Sequence, residues 1–133
     1  MSYSAIVAAL NGLIEDVTGI VIVLDYAPTA IHDSPLVYTT LDNLTISRSG
    51  QVITDRYRIQ SRLVVRWQDN EEAESTCVTL MPLIVAAVEA DPHLSGVITS
   101  GWVEIVEVDA VWVDIAGVTY RVYDFYTSAV EKR

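Results

Sequence analysis

Hydrophobic residues recur along two stretches of this chain with the period of an α-helix. The first stretch covers residues 4–17, where an apolar stripe is followed by Gly19 at a position typical of a helix end. The second covers residues 71–89 and begins with acidic residues, which favour a helix N-terminus. The sequence therefore predicts two amphipathic helices, the second of them with Pro82 inside and a kink near it unless a new helix begins there.

Other apolar segments follow a two-residue repeat, which predicts strands. The clearest is 52–67, with one face mostly apolar and the other mostly basic. It follows residues 45–47 across Ser49-Gly50, so we predict a hairpin with its turn there. The further predicted strands are 20–25, 97–98, 101–109, 111–115 and 118–126, with Ala116-Gly117 as the tight turn before the last.

This order of elements predicts an α+β fold with a mixed, mainly antiparallel sheet, two helices packed on one face and a long protruding β-hairpin. The length of 133 residues fits a single domain over 1–133. Residues 28–38 contain Pro28 and Pro35 and have little periodicity, so we expect an ordered loop that serves as a lid or contact arm. Residues 130–133 are expected to form a loose tail.

The chain is strongly acidic, with 18 acidic and 8 basic residues and a formal net charge of -10. This balance argues against broad nucleic-acid binding, but it would let DNA slide through an acidic passage without sticking. The uninterrupted apolar runs are too short for a membrane span, and no export signal is recognised at the N-terminus. We therefore expect a soluble protein that stays where it is made.

Basic residues concentrate in the long predicted strand and its turn. Five of the eight lie there: Arg48, Arg56, Arg58, Arg62 and Arg66. They form either a solvated outer face or an interface for the acidic patch of a second copy. The matching patch would lie at the start of the second helix and contain Glu71, Glu72 and Glu74.

Residues suited to catalysis are sparse. His32 and His93 are isolated and fit exposed or capping roles, while Cys77 lies on an apolar helix stripe and fits an inert core thiol. No nucleophile motif, phosphate loop or metal-ligand spacing occurs. Solvated sheet positions are expected for the acidic residues Glu104, Glu107, Asp109, Asp114 and Asp124. We expect neither an enzyme nor a cofactor or metal site.

Segments spread over most of the chain carry a resemblance to a known family. They are the N-terminal helix, Tyr26-Ala27-Pro28 with Ile31 and Pro35 to Tyr38, Leu63-Val64-Val65-Arg66-Trp67, Glu71-Glu72-Ala73-Glu74 through Leu80-Met81-Pro82, and Gly117-Val118-Thr119-Tyr120-Arg121. In this order they resemble the tail terminator proteins of long-tailed bacteriophages, also called tail completion or tail-to-head joining proteins.

The resemblance implies a non-enzymatic virion subunit without a cofactor. Such subunits form a hexameric ring that caps the tail tube, ends its polymerisation and joins the tail to the neck below the head. The implied partners are further copies of the chain, the tail tube protein and a neck or head-completion protein, with DNA as a non-specific passenger. The implied location is the tail–neck junction, after assembly in the host cytoplasm.

Ring or tube contacts are expected from two segments. One is the hairpin around Ser49-Gly50, and the other is the loop that contains Pro28, Ile31, Pro35 and Tyr38. Two alternatives remain open at the level of sequence. One is another phage neck or head-completion ring protein, and the other is a non-viral module with a small-molecule pocket near Trp67, Trp102 and Trp112.

Overall fold

The computed structural model describes residues 3–31, 33–66 and 70–133. Its elements are α1 (Tyr3–Glu15), β1 (Ile22–Leu24), β2 (Leu36–Ser49), β3 (Val52–Arg66), α2 (Asn70–Glu89), a 3-10 turn (Leu94–Gly96), β4 (Gly101–Ile115) and β5 (Val118–Lys132). The predicted α+β class is confirmed. Neither helix in the described part of the chain is long and apolar enough to cross a membrane.

The strands form one sheet in the order β1-β2-β3-β5-β4. Every neighbouring pair is antiparallel except β1 and β2, which pair in parallel over three positions. The sheet is therefore mixed and mainly antiparallel, as predicted. Because β1 ends at Leu24, opposite Tyr38, it covers only the beginning of β2.

Both helices pack on one face of this sheet. The alternation predicted for β3 is confirmed, because Tyr57, Ile59 and Leu63 are buried toward the helices while the arginines point to the other face. The largest side chains buried in this core include Phe125, Ile6, Leu10, Ile14, Ile59, Leu63 and Ile84. Burial of these apolar side chains is the main force that holds the helices on the sheet.

A second, smaller apolar cluster lies on the opposite face. It consists of Leu36, Val64, Tyr120 and Val122, with Ile31 packed against it. The hydroxyl of Tyr120 donates a hydrogen bond to the carbonyl oxygen of Ile31 at 3.4 Å. The loop before β2 is thus held against one end of the sheet.

Two hairpins organise the long strands. β2 and β3 join through Gly50 and Gln51, and Gly50 has φ 61°. This turn is one residue later than predicted. β4 and β5 join at the predicted turn, where Ala116 and Gly117 have φ of 52° and 79°, as a type I′ turn requires. β5 pairs with β3 as far as Thr54, so only the residues around the turn of the β2–β3 hairpin extend beyond the paired strands.

Several predicted boundaries are wrong. β2 starts at Leu36 instead of residue 45, so the end of the predicted loop is strand. The predicted strands 101–109 and 111–115 form one strand, β4, and residues 97–98 are not a strand. The prediction that Pro82 lies inside the second helix is confirmed, and no new helix begins there. The predicted strand end at Trp67 and any role of His32 lie outside the described residues.

The predicted loose tail at 130–133 is wrong. β5 continues to Lys132, and Val130 and Glu131 are buried. The backbone groups of Arg133 and Ile53 exchange two hydrogen bonds of 2.7 and 3.0 Å, and the Arg133 guanidinium lies 2.7 Å from the Asp55 carboxylate. The last residues therefore complete the sheet beside β3.

Candidate interaction surface

The arginines of β3 lie on the sheet face away from the helices, where Arg58 bridges three strands. Its Nε donates to the Asp42 carboxylate at 3.0 Å and its Nη2 donates to the Glu107 carboxylate at 3.2 Å. Its guanidinium also lies 4.3 Å from the ring centroid of Tyr126. Because all three charged side chains are about 40 to 50% exposed, these pairs add little stability.

Arg62 makes a tighter pair on the same face. Its Nε and Nη2 donate to the two carboxylate oxygens of Asp124 at 2.7 and 3.0 Å, and its Nη1 donates to the hydroxyl of Tyr38 at 3.3 Å. The hydrogen bonds with Asp124 are the main cause that raises the pKa of Arg62 above its usual value. The Asp124 side chain is only 5% exposed, so the expectation of a solvated carboxylate at this position is wrong.

Glu74 is engaged on the helix side of the sheet. Its carboxylate accepts hydrogen bonds from the hydroxyl of Tyr123 and from Nε of Arg121, the latter at 2.5 Å. Both bonds lower the pKa of Glu74, and the hydrogen bond from Tyr123 is the larger cause. Burial, and then the hydrogen bond to Glu74, raise the pKa of Tyr123 to about 12. The Arg121 guanidinium also lies 4.9 Å from the ring centroid of Trp112. This cluster fastens the start of α2 to the sheet.

Glu74→Gln is expected to lower the free energy of unfolding at pH 7 by about 1 kcal/mol, because the Glu74 side chain is 40% exposed and its hydrogen bonds are partly screened. Because the pKa of Glu74 is lowered in the folded state, its carboxylate stabilises the fold fully at pH values above its ordinary pKa of 4.5. This stabilisation is lost as the pH falls through the folded-state pKa. Urea unfolding of both proteins at pH 7 and pH 3 checks this; an unchanged difference at pH 3 contradicts it.

The predicted charged residues differ in their burial and in their ion pairs. Arg58, Arg62 and Glu74 already have partners within the chain. Arg48, Arg56, Arg66, Glu71 and Glu72 are exposed. Among the described residues, no acidic oxygen lies within 4.0 Å of the guanidinium nitrogens of Arg48 or Arg56. These two arginines flank the β2–β3 turn, where they can contact another molecule.

The four predicted loop residues lie near the edge where β1 pairs with β2. Pro28 lines a small groove with Leu24 and Tyr26, and Ile31 packs on the second apolar cluster. The carbonyl of Pro35 accepts the N–H of Val21 at 2.9 Å, and Tyr38 holds Arg62 as described above. The structure therefore separates these residues from Arg48 at the far end of β2 and from Arg56 beside it on β3.

The residues considered for catalysis remain apart. Cys77 is fully buried, as predicted, and desolvation is the main cause that raises the pKa of its thiol to about 12. His93 is exposed beside the 3-10 turn. Within the described ranges, no group of three or more His, Cys, Asp or Glu side chains is arranged to hold a metal ion.

Trp102 and Trp112 do not line a common pocket. A bulge between Ile105 and Glu107 shifts the register of β4, so Trp102 pairs with Val130 and Trp112 with Arg121. Val130 and Arg121 lie on opposite faces of β5 because their numbers differ in parity. The two tryptophans therefore project from opposite faces of the sheet, and Trp67 lies outside the described residues.

Both outer strands of the sheet have long free edges. The sequence indicated long strands but missed that β2 and β4 border the sheet, because strand order is not encoded in any local pattern. Beyond Tyr38, no described strand pairs with the outer side of β2, and none pairs with the outer side of β4. Large apolar side chains are exposed along these edges, among them Leu41, Leu44, Ile46, Val106, Val111 and Trp112. Exposed apolar edges are typical of surfaces that pair with another chain.

No protein-family model matches this chain, and the search of curated proteins found no match either.

Proposed function

We propose that this protein is a ring-forming virion subunit of a long-tailed bacteriophage. The ring caps the end of the tail tube, stops its polymerisation and joins the tail to the neck or head-completion protein. The subunit has no catalytic activity and needs no cofactor for this role. It assembles in the host cytoplasm and ends at the tail–neck junction of the virion.

The observation that carries this proposal is the pair of different free edges on opposite sides of one sheet. The edge of β2 and the edge of β4 are separated by β3 and β5. A subunit that binds a neighbour through two different surfaces makes a head-to-tail contact, and such contacts close into a ring when the rotation per subunit allows it. The resemblance of the sequence segments to tail terminator proteins supplies the expectation of six subunits.

The acidic balance of the chain supports the same proposal. A ring at the end of a tail tube must let DNA pass, and the formal net charge of -10 per subunit disfavours adhesion of the phosphate backbone. DNA is then a passenger and not a specific ligand. The protein contacts that hold the ring in place are those with its own copies, with the tube and with the neck.

Another ring protein of the neck or head-completion region is the nearest alternative, because the same two edges would serve its assembly. Binding to the tail tube protein, as opposed to a portal-side protein, separates the two functions. A small-molecule module is less well supported, since Trp102 and Trp112 project from opposite faces of the sheet.

The experiment that tests the proposal is measurement of absolute mass by light scattering, with and without assembled tail tubes of the phage that encodes the chain. We expect a ring of about six subunits, formed alone or on the tube, that stops further growth of the tube. A monomer that ignores the tube, or a ring that binds only a portal-side protein, contradicts the function. Mass measured at several salt concentrations reports the electrostatic share of the contact.

A further inference from the structure

We propose that the free edge of β4 in one copy pairs with the free edge of β2 in the next copy, so that the sheet continues from subunit to subunit. The partner is thus a second copy of this chain, and its bond to the first is an antiparallel β-ladder. The inference rests on the proposed function in one respect only: successive edge pairing of subunits is taken to end in a closed ring.

Strand direction makes this pairing antiparallel. β2, β3, β5 and β4 alternate in direction across the sheet, so β2 and β4 of one subunit run in opposite directions. When a second copy stands beside the first with its strands in the same orientation, its β4 runs opposite to the β2 that it meets. Antiparallel pairing follows without any inversion of the subunit, and it is the slightly more stable ladder.

The outward backbone groups are available for this ladder. The two residues that close a two-residue hairpin hydrogen-bond to each other. From there along each strand, the N–H groups alternate between pointing inward, toward the partner strand, and outward, away from the edge of the sheet. With Ser49 paired to Val52, the outward N–H groups of β2 include those of Leu44 and Ile46; with Ile115 paired to Val118, those of β4 include Ala110 and Trp112. The bulge between Ile105 and Glu107 reverses this alternation, so odd-numbered N–H groups point outward before it, and that of Val103 already donates to the Pro92 carbonyl at 2.8 Å.

Apolar side chains on the two edges lie on the same face of the continued sheet. On β2, Leu44 and Ile46 share the helix-side face with Tyr57, yet both are exposed. On β4, Trp112 and Ala110 lie on that face and are also exposed. Pairing of the edges would bring these side chains together and remove apolar surface from water, which adds to the backbone hydrogen bonds.

Charge favours contact between unlike edges. β4 carries Glu104, Glu107, Asp109 and Asp114 and has no basic residue. The turn end of the opposite edge carries Arg48, with Arg56 on the neighbouring strand, and neither has an ion-pair partner in the described part of the chain. Two β4 edges would repel each other, whereas β2 carries one acidic and one basic residue, Asp42 and Arg48, so contact between β4 and β2 avoids most of this repulsion.

Blocking one edge at a time tests the pairing. Ile46→Pro removes an outward N–H from β2, and Ala110→Pro removes one from β4, without loss of a ladder bond inside the subunit. We expect each variant alone to self-associate at least about tenfold more weakly than the wild type, because every contact needs one edge of each kind. A mixture of the two variants retains one intact edge of each kind and is expected to form a 1:1 dimer. Sedimentation equilibrium measures all three samples.

Ile46→Val and Ala110→Ser are the matched controls: both keep the N–H, the first keeps most of the apolar side chain and the second adds only a hydroxyl, so both are expected to assemble nearly as the wild type does. Circular dichroism and thermal melting establish that the proline variants fold. If either variant is unfolded, hydrogen exchange of the wild type replaces it: the amides of Leu44, Ile46, Ala110 and Trp112 are expected to exchange more slowly in the assembled state than in the dilute monomer. Equal exchange in both states overturns the proposal.

The outcomes separate this inference from the proposed function. Assembly of either proline variant at wild-type strength, or a mixture that stays monomeric up to about 1 mM, overturns the edge pairing even if the wild type caps tubes. Edge-dependent assembly into open fibres that ignore the tube supports the pairing and contradicts the proposed function. A wild type that stays monomeric with and without the tube overturns both.

Discussion

Arg62→Met is expected to lower the free energy of unfolding by about 3 kcal/mol. The Asp124 side chain is 5% exposed, and both of its oxygens accept hydrogen bonds from the Arg62 guanidinium. Methionine keeps most of the packing of the Arg62 stem but leaves a buried carboxylate without its cation, which typically costs several kcal/mol. The Arg62 side chain is itself only 23% exposed, so water compensates little. Urea unfolding at pH 7 measures the loss.

Arg58→Met is the matched control for this prediction, because it removes the same chemical group from the same face of β3, four residues earlier. Arg58 is 39% exposed, and its partners Asp42 and Glu107 are 42% and 49% exposed. Water therefore solvates these carboxylates after the change, and we expect a loss below about 1 kcal/mol. Equal losses for the two variants would show that burial of Asp124 is not what makes the Arg62 pair strong.

The elements with a strong repeat could be predicted from the sequence. The apolar stripes gave both helices to within about two residues, because a helix on a sheet must turn one face inward. The two-residue repeat correctly separated Tyr57, Ile59 and Leu63 from the arginines of β3. The tight turn at Ala116-Gly117 was also predicted, since its backbone conformation favours glycine.

The prediction failed where tertiary pairing overrides local pattern. Residues 36–44 lack a clean repeat because Leu36 and Val37 are buried on opposite faces, the first under the loop and the second under the helices. The tail at 130–133 has charged residues typical of a loose end, yet β3 provides a ladder for it. In both segments, a neighbouring strand decides the structure.

The candidate surface was predicted only in part. The cluster of arginines was visible in the sequence, but their partners depend on register. Bulges between Leu41 and Asn43 and between Ile105 and Glu107 shift the strands on both sides of Arg58. Bulges re-aim side chains, and neither has a sequence signature here. The in-chain pairing of Arg62 with Asp124, and of Glu74 with Arg121, could not be derived before the strand order was known.

Gly101→Ala is expected to destabilise the fold by about 3 kcal/mol through close approach of two strands. A Cβ at Gly101 would lie 1.7 Å from the carbonyl oxygen of Val130 and 2.7 Å from its carbonyl carbon, both of them backbone atoms that no side-chain rotation can move. The start of β4 must therefore shift away from β5, which breaks packing and ladder bonds near Gly101. Thermal and urea unfolding measure the loss.

Gly12→Ala makes the same chemical change in α1 and is expected to have the opposite sign. Apart from its chain neighbours and the backbone of its own helix, no heavy atom of the described residues lies within 4 Å of a Cβ built at Gly12, and the position is inside the helix. Alanine there restricts the unfolded chain and favours the helix by about 0.5 to 1 kcal/mol. If Gly101→Ala were as stable as the wild type, β4 could move from β5 at little cost. The free edge on which we propose that the next copy pairs would then lack the rigid support of β5.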